Sequence, residues 1–102
     1  VHACAHVTGG GIAGNLARVL PPGCGAVLDR RAWEVPRIFG EIERLGEVAP
    51  EEMDRVFNLG LGMVLVVAAA AVDAVTGAVA AHGRAAPVVG EVRAGDGGVT
   101  VR

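Results

Sequence analysis

Three consecutive glycines at positions 9–11 separate a stretch with the residues of a β-strand from a stretch with the spacing of a helix. Residues 1–8 are mostly apolar, whereas Ile12, Leu16 and Val19 recur at helical intervals. A strand, a glycine turn and a helix in this order let a ligand approach backbone N–H groups that have no internal partner. The segment predicts either an anion site or only a tight strand-to-helix connection, and the sequence leaves both open.

Composition limits the chemistry of the chain. At 102 residues it is one domain or a piece of one, and its 52% hydrophobic content is ample for a core. All nine basic residues are arginine, which excludes a phosphate-holding or Schiff-base lysine, and the absence of serine excludes a serine nucleophile. With a net charge of -2 and no arginine cluster beyond Arg30-Arg31, no nucleic-acid partner is expected.

The two cysteines and the longest uncharged run bear on the location of the protein. Cys4 and Cys24 lack metal-ligand spacing, so we expect two buried small side chains, no metal site and a reducing, cytoplasmic setting. No leader is visible before Val1. The uncharged residues 56–72 fall short of the ~20 needed for a spanning helix, so we expect no membrane segment.

The order of apolar and punctuating residues predicts an α+β fold, similar to an α/β sandwich. Its mixed β-sheet of about four or five strands is covered by helices. The predicted strands are residues 1–8, 25–29, 63–67, 88–92 and 99–102, and the predicted helices are residues 12–20, 38–45, 50–57 and 72–83. The continuously apolar strand 63–67 is expected to be buried on both faces, and strand 99–102 to pair back as a hairpin arm.

A dinucleotide-binding domain is one alternative for the first glycine segment. Gly9, Gly11 and Gly14 match G-x-G-x-x-G, and Asp29 follows about 20 residues later, where a ribose-binding acid would stand. However, Pro21-Pro22 ends the helix too early for a segment that must cross a whole sheet face.

Several motifs together resemble the phosphoribosylformylglycinamidine cyclo-ligase family, also called aminoimidazole ribonucleotide synthetase. Residues 6–11, His-Val-Thr-Gly-Gly-Gly, resemble its His-Ile-Thr-Gly-Gly-Gly signature, and residues 15–21 resemble its Asn-Leu-x-Arg-Val-Leu-Pro. Residues 52–63 are similar to its second signature, and residues 89–98 to its C-terminal end. The resemblance is colinear over essentially the whole chain. Departures include Val7 for isoleucine and Gly14 where glutamate is common.

This resemblance implies an enzyme of purine biosynthesis, an ATP-dependent ligase. It closes the ring of formylglycinamidine ribonucleotide to give aminoimidazole ribonucleotide, ADP and phosphate. The family protein is a cytoplasmic homodimer whose N-terminal domain binds ATP and Mg²⁺. Residues 1–102 are then expected to be part of the C-terminal domain, without that ATP-binding domain and inactive alone.

The resemblance also implies site residues. His6 would move a proton or stabilise the imidate oxygen, or its ring would be hydrogen bonded in the core to fix the loop. Asn58 would bind the amidine or serve as a turn residue. The other candidate groups for substrate or phosphate are Thr8, Gly9, Gly10, Gly11, Asn15, Gly60 and Gly62. His2, His82, Glu91 and Asp96 are expected to have no catalytic part.

A second class of function stays open from the sequence. The chain would then be a stand-alone nucleotide- or phosphate-binding or regulatory module that shares the fold without the chemistry. In either case we expect an exposed apolar sheet edge, and therefore self-association of the isolated chain.

Overall fold

The computed structural model describes all residues, 1–102, and confirms the α+β class. The strands are β1 (Ala3–His6), β2 (Cys24–Leu28), β3 (Met63–Val66), β4 (Gly90–Ala94) and β5 (Val99–Val101). The helices are α1 (Gly11–Ala17), α2 (Arg37–Leu45), α3 (Pro50–Val56) and α4 (Val72–Ala80). Single 3-10 turns lie at Arg30–Ala32 and Ala69–Ala71. None of the helices has the length and apolar character to cross a bilayer.

The five strands divide between two sheets and do not form the single sheet that was expected. β1 and β3 form an antiparallel pair, and β2 is the central strand of a second sheet, antiparallel to β4 and parallel to β5. The predicted hairpin of the last two strands is therefore wrong. The turn between β4 and β5 crosses the first residues of β2, where Ala26 N donates to Gly98 O at 3.0 Å. Gly25 permits this crossing, because a Cβ there would lie 2.7 Å from Gly98 O.

The core lies where α1 and α3 meet the inner faces of the two sheets. Met53 of α3 and Ile12 and Leu16 of α1 are buried in it. Its remaining buried apolar members are Ala5, Val7, Ala26, Leu28, Leu59 and Val64. The backbone of Gly11 lies against α3, so α1 and α3 are in close contact. This packing fixes the start of α1 relative to β1.

Two expectations about burial are wrong. Only Val64 of β3 is buried, while Met63 is 55% and Leu65 36% exposed, because β3 has one neighbouring strand and one packed face. Cys4 is exposed and Cys24 half-buried. Cys4 is exposed because side chains alternate along β1 and the neighbouring Ala5 takes the core side.

Candidate functional site

Two glycine-rich corners meet at one end of the β1–β3 sheet. The first corner is residues 6–11, which follow β1, and the second is residues 58–62, which precede β3. The two strands are antiparallel, so the end of one lies beside the start of the other, with His6 paired to Met63. Val7 N donates to Gly62 O at 2.9 Å and joins the corners directly. The structure therefore brings the candidate residues of both motifs to the same edge.

Asn15 holds the first corner from the inside. Its side chain is buried, with the residue 5% exposed, and its Nδ2 donates to Gly11 O at 2.8 Å and Thr8 O at 3.1 Å. A longer contact of 3.4 Å reaches Gly9 O. Its Oδ1 accepts from Thr8 Oγ1 at 3.4 Å. The amide of Asn15 is thus directed into the loop, where it replaces backbone hydrogen bonds that the turn lacks.

The three glycines of the first corner differ in how strongly the structure constrains them. Gly10 and Gly11 have φ of 106° and 73°, a region that side chains rarely adopt. A Cβ on Gly11 would also lie 2.1 Å from Asp54 O, whereas one on Gly9 would meet nothing within 4 Å. The N–H of Gly11 donates to Thr8 O at 3.2 Å. The N–H groups of Gly9 and Gly10 have no protein acceptor and lie on the surface.

Arg18 is a residue of this corner that the sequence analysis did not place in the site. Its Nη1 donates to Asn15 Oδ1 at 3.3 Å, and its Nη2 would lie 3.7 Å from a Cβ on Gly10. The exposed guanidinium is not part of any ion pair with a carboxylate. The available signal was its position three residues after Asn15, which puts both on one face of a helical turn. Arg18 gives the corner a positive charge beside two open N–H groups.

The second corner is fixed by side-chain and backbone contacts. Asn58 Oδ1 accepts from Gly60 N at 2.9 Å, which is the bond of an Asx turn, and Asn58 Nδ2 has no protein acceptor. Leu59 and Gly60 have φ of 50° and 100°. Trp33 Nε1 donates to Leu59 O at 3.0 Å, and a Cβ on Gly60 would lie 2.5 Å from Pro36 Cδ. The Asn58 oxygen is therefore used in the turn, while its NH₂ group remains available.

The remaining candidates are at the surface. His6 is exposed at the end of β1, so the alternative in which its ring is bound in the core is wrong. Thr8 is exposed as well, beside the open N–H groups. His82 lies on the last turn of the α4 region, with Nδ1 2.9 Å from Ala78 O, far along the chain from either corner. Asp96 Oδ1 accepts from Gly98 N at 3.0 Å and closes its own turn.

The residues of the dinucleotide alternative do not form its site. That fold requires the first two strands to be neighbours in one parallel sheet, and here β1 and β2 lie in different sheets. The Asp29 carboxylate caps the 3-10 turn by accepting from Arg31 N at 2.9 Å. It also pairs with the Arg31 side chain, whose hydrogen bond lowers the pKa of Asp29 below its usual value. The dinucleotide interpretation is therefore wrong.

Ion pairs outside the two corners connect the secondary-structure elements that surround them. Arg30 binds Asp54 with two hydrogen bonds, of 2.8 and 3.2 Å, and so ties the end of β2 to α3. The side-chain hydrogen bond of Asp54 raises the pKa of Arg30. On α3 itself, Glu52 pairs with Arg55 one turn later. The structure contains no group of three His, Cys, Asp or Glu residues that could hold a metal ion.

Comparison with known proteins defines the class. The family described as "AIR synthase related protein, C-terminal domain" matches residues 1–102, and the chain belongs to this family. The match confirms the resemblance seen in the two glycine motifs.

Curated relatives carry a more particular name, phosphoribosylformylglycinamidine cyclo-ligase. The relative from Symbiobacterium thermophilum is 52% identical over 98 residues, which are 96% of this chain and 28% of the relative. The relative from Paraburkholderia phymatum is 50% identical over 93 residues, 91% of this chain and 26% of its own length. That from Anaeromyxobacter dehalogenans is 48% identical over 98 residues. The chain thus spans about a quarter of the length of these relatives.

Proposed function

We propose that this chain forms one wall of the active site of a phosphoribosylformylglycinamidine cyclo-ligase, an enzyme of purine biosynthesis. The proposal rests on the name of the relatives and on one structural observation, the junction of the two glycine corners by the bond from Val7 N to Gly62 O. The substrate, formylglycinamidine ribonucleotide, carries a phosphate and an amidine. The junction offers anion donors on one corner and a neutral amide on the other.

The first corner is the proposed phosphate side. The N–H groups of Gly9 and Gly10, with the Thr8 hydroxyl, would donate to phosphate oxygens. The Arg18 guanidinium, beside Gly10, would neutralise part of the charge, because arginine suits phosphate geometry. Gly11 and Asn15 would act indirectly, by holding the loop in the conformation that presents these groups.

The second corner and His6 are the proposed side for the reacting nitrogen. In the reaction that the family name implies, ATP transfers its γ-phosphoryl group to the formyl oxygen and leaves as ADP. A substrate nitrogen then forms a bond to the formyl carbon, the C–O bond breaks, and phosphate leaves. The Asn58 NH₂ group, supported by the backbone at Gly60 and Gly62, would bind the amidine or amide. The His6 ring would take the proton that the attacking nitrogen releases.

ATP and Mg²⁺ enter the proposal only through the rest of the enzyme. The residues of this chain do not fit a magnesium site, since no cluster of metal-ligating side chains is present. The chain also has no lysine that could hold an ATP phosphate. We therefore assign ATP and Mg²⁺ to an N-terminal domain, and we derive no step of the reaction from a metal on this wall. The resemblance to the cyclo-ligase family is also the ground on which we propose that the whole enzyme is a homodimer in the cytoplasm.

Complementation of a purine auxotroph with the gene that encodes this chain tests the proposal. His6→Ala is expected to abolish growth, because loss of a general acid or base lowers kcat by roughly 10²–10⁴-fold. Asn58→Ala is expected to slow growth, because the enzyme should have a raised KM for the substrate. The matched control is His82→Ala, an exposed histidine outside both corners, which is expected to grow like wild type.

Two results would overturn parts of this proposal. Growth of both the His6 and Asn58 variants at the wild-type rate would refute the site. If the protein binds inorganic phosphate in isothermal titration calorimetry but its gene never complements, the result would favour the alternative of a phosphate-binding or regulatory module.

A further inference from the structure

The second corner is held by residues that precede α2 or lie in it. We call these residues the brace: Trp33, Pro36 and Phe39. Trp33 Nε1 donates to Leu59 O at 3.0 Å. The rings of Phe39 and Phe57 meet edge to face, with their centroids 5.9 Å apart. Pro36 lies against Gly60, where a Cβ would be 2.5 Å from Pro36 Cδ. The brace therefore contacts the residues on both sides of Asn58.

Leu59 needs this support because of its backbone conformation. Its φ is 50°, in the left-handed region, which is unfavourable for a residue that has a Cβ. Such a conformation persists where the surrounding contacts determine it. The Leu59 side chain is buried, at 6% exposed, and its carbonyl oxygen accepts the hydrogen bond from Trp33. These two contacts keep the turn in a conformation that an isolated segment would leave.

The direction of the Asn58 NH₂ group depends on the same turn. The side-chain amide is planar, and its Oδ1 accepts from Gly60 N at 2.9 Å. A displacement of Gly60 therefore rotates the amide or breaks this bond. Pro36 limits such a displacement by its contact with Gly60, and Trp33 limits it by binding the preceding carbonyl. The brace thus determines where the free NH₂ group of Asn58 is directed.

We propose that Trp33 is a positioning residue of the active site, which fixes the Asn58 NH₂ group in the direction where it meets the substrate. The inference rests on the proposed function of Asn58 and adds the residue on which that function depends. The one polar atom of the Trp33 side chain is bonded to Leu59 O, so Trp33 acts through the turn and not on the substrate. The first corner has a separate support in the buried Asn15 amide, and a change at Trp33 should leave it intact.

A double-variant cycle on the whole enzyme separates positioning from a merely structural role. Trp33→Phe keeps an aromatic ring and removes the N–H donor. It is expected to raise the KM for formylglycinamidine ribonucleotide roughly 3- to 10-fold, the equivalent of one lost hydrogen bond, and to leave kcat near the wild-type value. In an Asn58→Ala background the same exchange is expected to raise KM no further, because the group that Trp33 positions is gone. The matched control is Val101→Ala, which truncates a side chain that packs against the core from β5, outside both corners, and it is expected to keep the wild-type KM.

The second test does not depend on the reaction. Gly60 N and Leu61 N both donate to Asn58, at 2.9 Å each, so their exchange with deuterium reports the opening of the turn. In the whole enzyme, mass spectrometry of a peptide that covers residues 57–62 is expected to show roughly 3- to 10-fold faster exchange for Trp33→Phe. Val101→Ala is expected to exchange like wild type in this peptide.

A second variant of the brace keeps the inference testable where Trp33→Phe does not fold. Phe39→Leu removes the ring contact with Phe57 and retains the Trp33 donor. It is expected to raise KM and to accelerate the exchange of the turn. In the Asn58→Ala background it should again leave KM unchanged.

The outcomes distinguish a failure of this inference from a failure of the proposed function. A raised KM for Trp33→Phe that adds nothing in the Asn58→Ala background, with faster exchange of the turn, supports the inference. If Asn58→Ala raises KM but the effects of the two changes multiply, or if exchange of the turn is unchanged, the inference is overturned and the proposed function stands. A wild-type KM for Trp33→Phe, or an equal effect of Val101→Ala, also overturns the inference alone. If Asn58→Ala itself has the wild-type KM, the proposed role of Asn58 fails and the inference fails with it.

Discussion

Replacing each glycine of the first corner by alanine should produce three different losses of stability. The structure gives each position its own physical constraint. Gly9 lies on the surface with an ordinary backbone conformation and open space around it. Gly10 has φ of 106° but no atom closer than 3.7 Å to a Cβ. Gly11 combines φ of 73° with a Cβ position 2.1 Å from Asp54 O, where the neighbouring atom is backbone and cannot rotate away.

These geometries convert to an expected order of stability. Gly9→Ala should change the free energy of unfolding by no more than ~0.5 kcal/mol, as for an exposed site without special geometry. Gly10→Ala should cost ~1–2 kcal/mol, the penalty for a side chain in the left-handed region. Gly11→Ala should cost a similar strain plus the ~1–3 kcal/mol of overpacking, because α3 must move away from α1. The total for Gly11→Ala is a large part of the ~5–15 kcal/mol expected for a domain of this size.

Urea unfolding followed by tryptophan fluorescence measures this series. Trp33 is the single tryptophan, half-buried, and its Nε1 donates to Leu59 O of the second corner, so its emission reports the junction of the corners. The protein concentration is kept below that at which the chain associates. A midpoint for Gly11→Ala equal to that of wild type would refute the reasoning. So would a loss for Gly9→Ala as large as the loss for Gly11→Ala.

Further predictions concern single side chains. Asn15→Asp should lower the free energy of unfolding by about 2 kcal/mol or more, because the Nδ2 donor of a buried loop is lost, and a urea midpoint equal to wild type would contradict this. Trp33→Phe should cost ~1–3 kcal/mol by leaving the Leu59 carbonyl without its donor, measured by circular dichroism on heating. The side-chain hydrogen bond from Arg31 lowers the pKa of Asp29 below its usual value, so Asp29 stabilises the fold above its unfolded pKa, and this contribution disappears as the pH falls through the folded value. Asp29→Asn should therefore flatten the acid limb of the stability profile, and an unchanged limb would show that the pair adds nothing.

The helices were the part of the fold that local sequence signals predicted well. α2 begins after Pro36 and ends at Leu45 before Gly46, close to the prediction, because its apolar spacing and its terminating glycine are neighbours in sequence. α3 begins at Pro50 as expected, since proline at the first helical position loses no hydrogen bond. In both cases the signal and the structure lie within one short segment.

Strand partners were less predictable, because pairing depends on residues far apart in the chain. The prediction placed β5 beside β4, its neighbour in sequence. The structure places β5 beside β2, since Gly25 and Gly98 allow the connecting turn to cross the end of that strand. No sequence pattern within residues 88–102 predicts the pairing of β5 with β2. The same limit explains β3, whose apolar run indicated two covered faces that a single neighbouring strand does not provide.

The sequence predicted the location of the site better than the role of each residue in it. The motifs identified both corners, but three identical glycines gave no indication that two keep open N–H groups and the third packs against α3. Arg18 lies within the motif of residues 15–21, but an arginine at the end of a helix does not by itself indicate a binding role. Its placement beside Gly10 arises only from the geometry of the folded turn.

The central position of β2 sets the order in which the molecule can be completed during synthesis. β2 leaves the ribosome well before β4 and β5, the two strands that flank it in the sheet. All of residues 29–89 must emerge while the two edges of β2 have no partner. Contacts of such long sequence separation form slowly and leave the strand open to other chains. A nascent chain stalled before residue 90 would therefore present β2 with both edges unpaired, as a target for chaperones or for aggregation.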